Sequence, residues 1–149
     1  MRLPQEVIDF FENQGFVIVS TLDRKGLIHN SCKGIVAIKK EGWVYLLDLY
    51  RGNTYRNLIR NPVLSITAVD EQRFKGYTLK GKADLLKKDN LGKDIIKLWD
   101  TNIAKRVTKR IIRALHGQKG HSGHPEANLP SPKYLIRLKV EEIIDLSSW

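Results

Sequence analysis

The residues best suited to chemistry lie in segment 47–62, LDLYRGNTYRNLIRNP, where an apolar run ends in polar residues that open a helical pattern. Backbone N–H groups and the positive end of the helix dipole meet at such a junction and favour an anion. Gly52 permits close backbone approach, Thr54 adds a hydroxyl, and Arg51 adds a planar fork that suits phosphate oxygens. The segment therefore predicts an anion site, with a polar turn capped by Thr54 as the alternative.

Two other groups of side chains could be reactive. Cys32 is the single cysteine, and it is interpreted either as a redox thiol or, more in keeping with buried free cysteines, as a small hydrophobe. His116, His121 and His124 could ligate a metal ion, but a glycine-rich loop would first have to be ordered by that metal. We therefore predict a solvated loop here and no metal site, with a metal site as the alternative.

These residues must be positioned by an antiparallel sheet. β-Branched and apolar runs separated by short turns predict strands at residues 16–22, 27–38, 43–49, 63–69 and 77–86. A short helix is expected over residues 5–13, a second over 55–60 with Thr54 as its cap, and a final strand begins at Tyr134. Many short strands joined by tight turns predict a sheet that is closed, or nearly closed, into a barrel.

The positive charge of the chain is concentrated in one helix. The formal net charge is +10, and residues 91–120 hold eight basic and two acidic side chains, a net +6. A helix over about 90–115 carries an apolar row and a parallel basic row, which are Ile103, Val107, Ile111 and Leu115, and Lys105, Lys109 and Arg113. Base-stacking aromatics are scarce there, so we expect a solvated face or attraction of an anionic substrate rather than a nucleic-acid site.

Length and composition predict one domain over residues 1–149, with a helical insertion at about 90–115 and a loop at about 116–132. An apolar run long enough to span a membrane is not found, and one thiol cannot form an intrachain disulfide. The expectation is a soluble cytoplasmic protein without a membrane partner.

The order of these elements, together with the N-L-x-x-N-P sequence at Asn57, Leu58, Asn61 and Pro62, resembles a known family. It is similar to the split barrels that bind flavin mononucleotide (FMN), the pyridoxamine 5'-phosphate oxidase-like group. The resemblance covers about residues 5–86 and the strand near 134–144. It implies a mainly β fold with flanking helices, built as an antiparallel split β-barrel of six or so strands.

The resemblance also implies a flavin site. Family members often carry a K-T-R-N-L pattern at the helix start, and Asn53 stands here where lysine is expected, so Arg51 or Lys33 would supply the charge on the phosphate. Residues 30–34 would run along the flavin, and the end of the third strand would flank its ring. The predicted cofactor-binding residues are Asn30, Ser31, Cys32, Lys33, Leu47, Asp48, Tyr50, Arg51, Asn53 and Thr54.

The function implied by the resemblance is that of a flavin-dependent oxidoreductase acting on a small molecule or an electron donor. Relatives are commonly homodimers with two flavin sites at the interface, which would suit the apolar excess of the third strand. No residue is an obvious acid or base, which agrees with a cofactor that performs the redox step itself. Two alternatives stay open, namely a non-enzymatic basic module for nucleic acid or another polyanion, and a haem or metal protein that uses the loop histidines.

Overall fold

The computed structural model describes residues 1–49, 51–121, 123–124 and 134–147. The helices and strands within these residues follow one another as α1 (Gln5–Glu12), β1 (Phe16–Leu22), β2 (Ile28–Lys39), β3 (Trp43–Leu47), α2 (Asn53–Arg60), β4 (Val63–Asp70), β5 (Lys75–Lys87), a single 3-10 turn (Lys88–Asn90), α3 (Lys93–Leu115) and β6 (Tyr134–Asp145). The third strand is two residues shorter than predicted, and the last strand is longer and extends to Asp145. Tyr50 and most of the 116–132 loop lie outside the described residues.

The strands form a closed antiparallel barrel in the order β1-β2-β3-β6-β5-β4, with β4 paired back to β1. Alternate residues of each strand point inward, as the buried and exposed positions of β4 illustrate. Closure leaves the sheet without a free edge along most of its length. The predicted antiparallel split barrel with flanking helices is confirmed.

The interior of the barrel is filled by aliphatic side chains, and α1 closes part of it. Val19, Leu46, Leu64 and Ile66 are fully buried there, and Phe11 of α1 packs into the same cluster. The burial of such side chains contributes roughly 1.5–3 kcal/mol each to folding. The barrel is therefore a rigid frame on which the polar residues of one rim can be held.

α3 covers the outer face of β2, β3 and β6. Ile95, Trp99 and Ile103 of the helix are buried against a second apolar cluster that includes Leu47 and Leu135. Part of the apolar excess of the third strand is thus packed within the chain, since Leu47 is buried beneath α3. α3 has 23 residues and is about 34 Å long. Its last turns extend beyond this contact, because in the predicted apolar row Ile111 and Leu115 are 56% and 82% exposed.

The start of α2 differs from the prediction. Gly52 occupies the N-cap position, and Thr54 lies in the first helical turn rather than capping it. The Thr54 hydroxyl instead bonds to Ser31, a residue of β2 that is far away in the sequence. The capping pattern predicted the helix correctly but assigned the wrong role to its threonine.

Candidate functional site: an anion cradle at the start of α2

α2 is fixed to the barrel by its buried face. Leu58 packs into the barrel core, and Asn57 Nδ2 donates a hydrogen bond of 3.0 Å to the buried hydroxyl of Thr21 in β1. Asn61 accepts a hydrogen bond from the backbone of Val63, which ends the helix and starts β4. The N-L-x-x-N-P sequence therefore positions the helix and does not itself form the site.

The N-terminus of α2 faces two hydroxyl groups. Thr54 is 3% exposed, and its Oγ1 lies 2.8 Å from Ser31 Oγ. The first-turn N–H groups of a helix have no intrahelical acceptor, and among the described residues no side chain caps those of α2. Hydroxyl and amide donors are thus concentrated at the positive end of the helix dipole, which favours an anion.

Arg51 is held beside this helix end by two aromatic rings. Its guanidinium carbon lies 5.6 Å from the ring centroid of Tyr55 and 5.7 Å from that of Tyr134, within the range of cation–π attraction. The two rings meet edge to face at 5.3 Å. Arg51 is an exposed residue that remains accessible to a ligand while the rings restrict its position. We call Ser31, Arg51, Thr54 and the first-turn N–H groups of α2 the anion cradle.

A buried polar cluster lies behind the anion cradle. The Asp48 side chain is fully buried, and its Oδ1 lies 2.7 Å from Lys33 Nζ. Its Oδ2 accepts a hydrogen bond from the Tyr134 hydroxyl. Burial, and secondly this bond to the carboxylate, raises the pKa of Tyr134 above its usual value, so the hydroxyl remains a donor. Asp48 neutralises the charge of Lys33. Among the described residues Arg51 forms no such ion pair with Asp48, so Arg51 is the cation that the cradle offers to an anion.

The remaining predicted site residues lie elsewhere. Strand register places Asn30 and Cys32 on the outer face of β2, opposite Ser20 and Ile18 respectively. The Asn30 amide oxygen accepts a hydrogen bond of 2.7 Å from Ser20. Burial raises the pKa of the Cys32 thiol, although the residue is exposed overall. Neither side chain is brought to the anion cradle.

Leu47 and Asn53 are also directed away from the cradle hydroxyls. Leu47 packs in the cluster beneath α3, and the amide oxygen of Asn53 accepts a hydrogen bond of 2.7 Å from Arg56. Tyr50 lies outside the described residues. Of the ten predicted residues, the structure therefore groups Ser31, Lys33, Asp48, Arg51 and Thr54, while the sequence missed Tyr55 and Tyr134.

The three histidines are described, and they are not gathered into a metal centre. His116 ends α3, His121 Nδ1 accepts a hydrogen bond from the Gly123 backbone, and His124 meets the ring of Phe16 at 5.6 Å. Within the described parts of the chain, no three histidine, cysteine, aspartate or glutamate side chains are grouped closely enough to hold a metal ion. The described residues therefore give no support to the alternative of a metal site formed by these histidines.

The donors of the anion cradle fit a phosphate monoester. The hydroxyls of Ser31 and Thr54 share one hydrogen bond, so one of the pair has its proton available for a phosphate oxygen. The first-turn amides and one guanidinium can also donate hydrogen bonds to phosphate oxygens. The cradle carries no carboxylate of its own, because Asp48 is already bound by Lys33 and Tyr134. A phosphate-bearing cofactor such as FMN therefore agrees with the residues present.

Comparison with known proteins agrees with this fold. A family model for pyridoxamine 5'-phosphate oxidase matches residues 3–147. HupZ from Group A Streptococcus is 22% identical, with a TM-score of 0.65 over 98% of this chain and 95% of that chain. An F420 reductase is 15% identical, with a TM-score of 0.63 over 95% of this chain and 98% of that chain.

A Clostridium acetobutylicum protein related to general stress protein 26 is 14% identical, with a TM-score of 0.57 over 95% of this chain and 92% of that chain. At these identities the likeness shows the fold alone, and no curated protein matches the sequence. Among the described residues, no helix has the length and apolarity needed to cross a bilayer. Because the family model spans nearly the whole chain and the barrel agrees with it, the protein belongs to the pyridoxamine 5'-phosphate oxidase-like family.

Proposed function

We propose that this protein binds FMN and is an oxidoreductase that transfers electrons or hydride through the flavin to a small organic molecule. The observation that carries the proposal is the anion cradle, whose donors suit the phosphate of this cofactor. The family to which the chain belongs commonly binds flavins, which supports the same conclusion. The flavin would supply the redox chemistry, and the protein would supply anchoring and orientation.

The proposal gives each residue of the cradle a distinct role. One hydroxyl of the Ser31–Thr54 pair donates to the other, and the second donates a hydrogen bond to a phosphate oxygen. Arg51 adds the charge and a second point of attachment. Lys33 is a positioning residue, because its ion pair with Asp48 fixes the wall behind the cradle rather than offering a full charge to the ligand. Arg51 therefore substitutes for the lysine that Asn53 replaces.

We further propose that two copies associate through the outer face of β1, β2 and β4. Register places four exposed aliphatic side chains on this face, namely Ile18, Ile28, Val63 and Val69, which are 51%, 73%, 46% and 62% exposed. A second copy would remove these side chains from water, which favours association. The single thiol agrees with a reducing compartment, so we place this dimer in the cytoplasm.

Binding of FMN tests the proposal directly. The purified protein is titrated with FMN, and binding is followed by quenching of flavin fluorescence, while the visible spectrum of the protein as isolated shows any flavin it retains. Arg51→Ala is expected to weaken binding at least tenfold, since it removes the cradle's cation. Thr54→Val preserves shape and removes one hydroxyl donor, so we expect a smaller loss of several-fold.

Arg73→Ala is the matched control, because Arg73 is an exposed arginine in the turn before β5 and pairs with Asp70 at 3.6 Å. Its FMN affinity is expected to equal that of the wild type. If the isolated protein contains no flavin and added FMN does not bind, the proposal is wrong. It is equally wrong if Arg51→Ala and Arg73→Ala bind FMN with the same affinity.

A further inference from the structure

A second concave site lies further along β2 than the cradle, between residues 35–38 of this strand, the end of α1 and α3. It is a cleft of about 540 Å³. Its floor includes Phe16 and Ile38, and its long wall is the face of α3 from Leu98 to Arg113. Volumes of a few hundred Å³ are typical of sites for small molecules. None of the cradle residues lines this cleft, so it is a separate site.

The cleft is built by side chains that close an open stretch of the sheet. β1 pairs only with the part of β2 between the connecting turn and Gly34. The backbone at Ile35 and Val36 therefore has no β1 residue beside it. Arg106 Nη1 donates a hydrogen bond of 2.7 Å to the Ile35 carbonyl, and Asn102 Nδ2 donates one to the Val36 carbonyl. These two bonds fix the position of α3 and of the residues that follow it.

Gly34 leaves room for this arrangement. A Cβ atom at Gly34 would lie 2.9 Å from Arg106 Nη2, so the guanidinium would have to shift to accommodate it. The guanidinium also lies over the ring of Phe16, with its carbon 5.8 Å from the centroid. The wall is thus held by specific contacts on three sides, and its position does not depend on a ligand.

The charge of the cleft is strongly positive. Five basic side chains line it, while Glu12 is the single acidic lining residue among those described; the five are Lys105, Arg106, Lys109, Arg110 and Arg113. In the part of the chain that the structure describes, no carboxylate forms an ion pair with Lys105, Lys109 or Arg113. Like charges spaced four residues apart destabilise a helix, so an anion between them would be favoured.

From these observations we infer that the cleft between α1, β2 and α3 binds a small organic phosphate. The cationic wall would hold the phosphate groups, since lysine and arginine together recognise phosphate by charge and by paired hydrogen bonds. Phe16 on the floor, with the edge of His124 5.6 Å away, offers an apolar surface to a flat ring. The volume of about 540 Å³ suits a small molecule.

The test uses ADP as a probe, with adenosine as its uncharged counterpart, in calorimetric titrations of the full chain at low salt. Lys105→Gln/Lys109→Gln removes two charges from the cleft. Lys93→Gln/Lys97→Gln removes two charges from the same helix outside the cleft, and it is the matched control. We expect ADP to bind the wild type and the control equally, and the cleft variant at least tenfold more weakly. Adenosine is expected to bind at least tenfold more weakly than ADP.

Several results would overturn the inference. The inference is wrong if ADP does not bind. It is also wrong if both double variants lose ADP affinity equally, because that result would show general attraction to a positive surface rather than a site. A single-stranded oligonucleotide that binds through Lys105 and Lys109 when ADP does not would assign the wall to nucleic acid.

FMN titrations of the same variants separate this inference from the proposed function. Lys105→Gln/Lys109→Gln is expected to bind FMN as the wild type does, whereas Arg51→Ala is expected to bind ADP as the wild type does. If the cleft variant loses FMN, the cleft is the flavin site and the inference of a second site is wrong. If Arg51→Ala loses FMN binding and the cleft variant does not, the result supports both the cradle as the FMN site and the cleft as a separate site.

Discussion

The buried cluster of Lys33, Asp48 and Tyr134 gives the sharpest prediction about stability. Asp48→Ala removes a fully buried carboxylate that lies 2.7 Å from Lys33 Nζ and accepts the Tyr134 hydroxyl. It leaves an ammonium on a side chain that is only 13% exposed, together with a buried hydroxyl without its acceptor. Breaking a buried ion pair in this way costs about 3–5 kcal/mol.

The expected size follows from these contacts. Lys33 can regain some water through its exposed fraction, so we expect the lower end, about 3 kcal/mol. For a chain of this length that loss lowers the melting temperature by about 6–12 °C. The assay is thermal and urea unfolding of the protein without flavin at pH 7, followed by circular dichroism.

Glu142→Ala is the control, because its ion pair with Lys80 is at 3.5 Å and both side chains are about half exposed. Exposed pairs contribute at most about 1 kcal/mol, so this variant should melt within about 4 °C of the wild type. Adding Lys33→Met to Asp48→Ala removes the unpaired charge and should recover part of the loss. Equal melting temperatures for Asp48→Ala and Glu142→Ala, or no recovery in the double variant, would refute this account of the cluster.

Three further substitutions or titrations test other parts of the structure. Gly81→Ala places a Cβ in collision with the Lys139 backbone carbonyl oxygen and should lower the free energy of unfolding by about 1–3 kcal/mol. Gly120→Ala meets no atom of the described residues and should not change it in urea titrations. Burial raises the pKa of Tyr134, so the unfolded chain loses this proton near pH 10 before the folded chain does. Stability should therefore fall above about pH 10, and less steeply in Tyr134→Phe; equal slopes would contradict the raised pKa. Burial also raises the pKa of the Cys32 thiol, so iodoacetamide should alkylate it more slowly at pH 8 than a free thiol, with equal rates as the contrary result.

The sequence predicted the barrel well because each strand carries its own local signal. Alternating apolar residues in β4 and the turn residues between strands depend on near neighbours only, and near neighbours also decide which face is buried. The role of Thr54 at the start of α2 was predicted wrongly because its partner is distant in the sequence. The partner of the Thr54 hydroxyl is Ser31, 23 residues away, and no local pattern reveals such a contact.

The same distinction explains which site residues the sequence revealed. Arg51 and Thr54 belong to a strand-to-helix junction that can be read locally. Tyr55 is only four residues from Arg51, but Arg51 precedes α2, so helical spacing does not predict their contact. Tyr134 had no local signal, since its bond to Asp48 joins residues 86 positions apart at the ends of the neighbouring strands β3 and β6.

The position of the cationic cleft follows from an irregularity of the sheet. β2 continues to Lys39, five residues past the point where β1 begins, so its backbone there needs other hydrogen-bond partners. Arg106 and Asn102 supply them, and the side chains one turn further along α3 are thereby carried over the end of α1. A helix that only covered apolar surface could rotate or slide on it, but these two bonds set both the register and the rotation of α3. The basic row consequently lies along the cleft while its members remain exposed, a position that amphipathic periodicity alone does not predict.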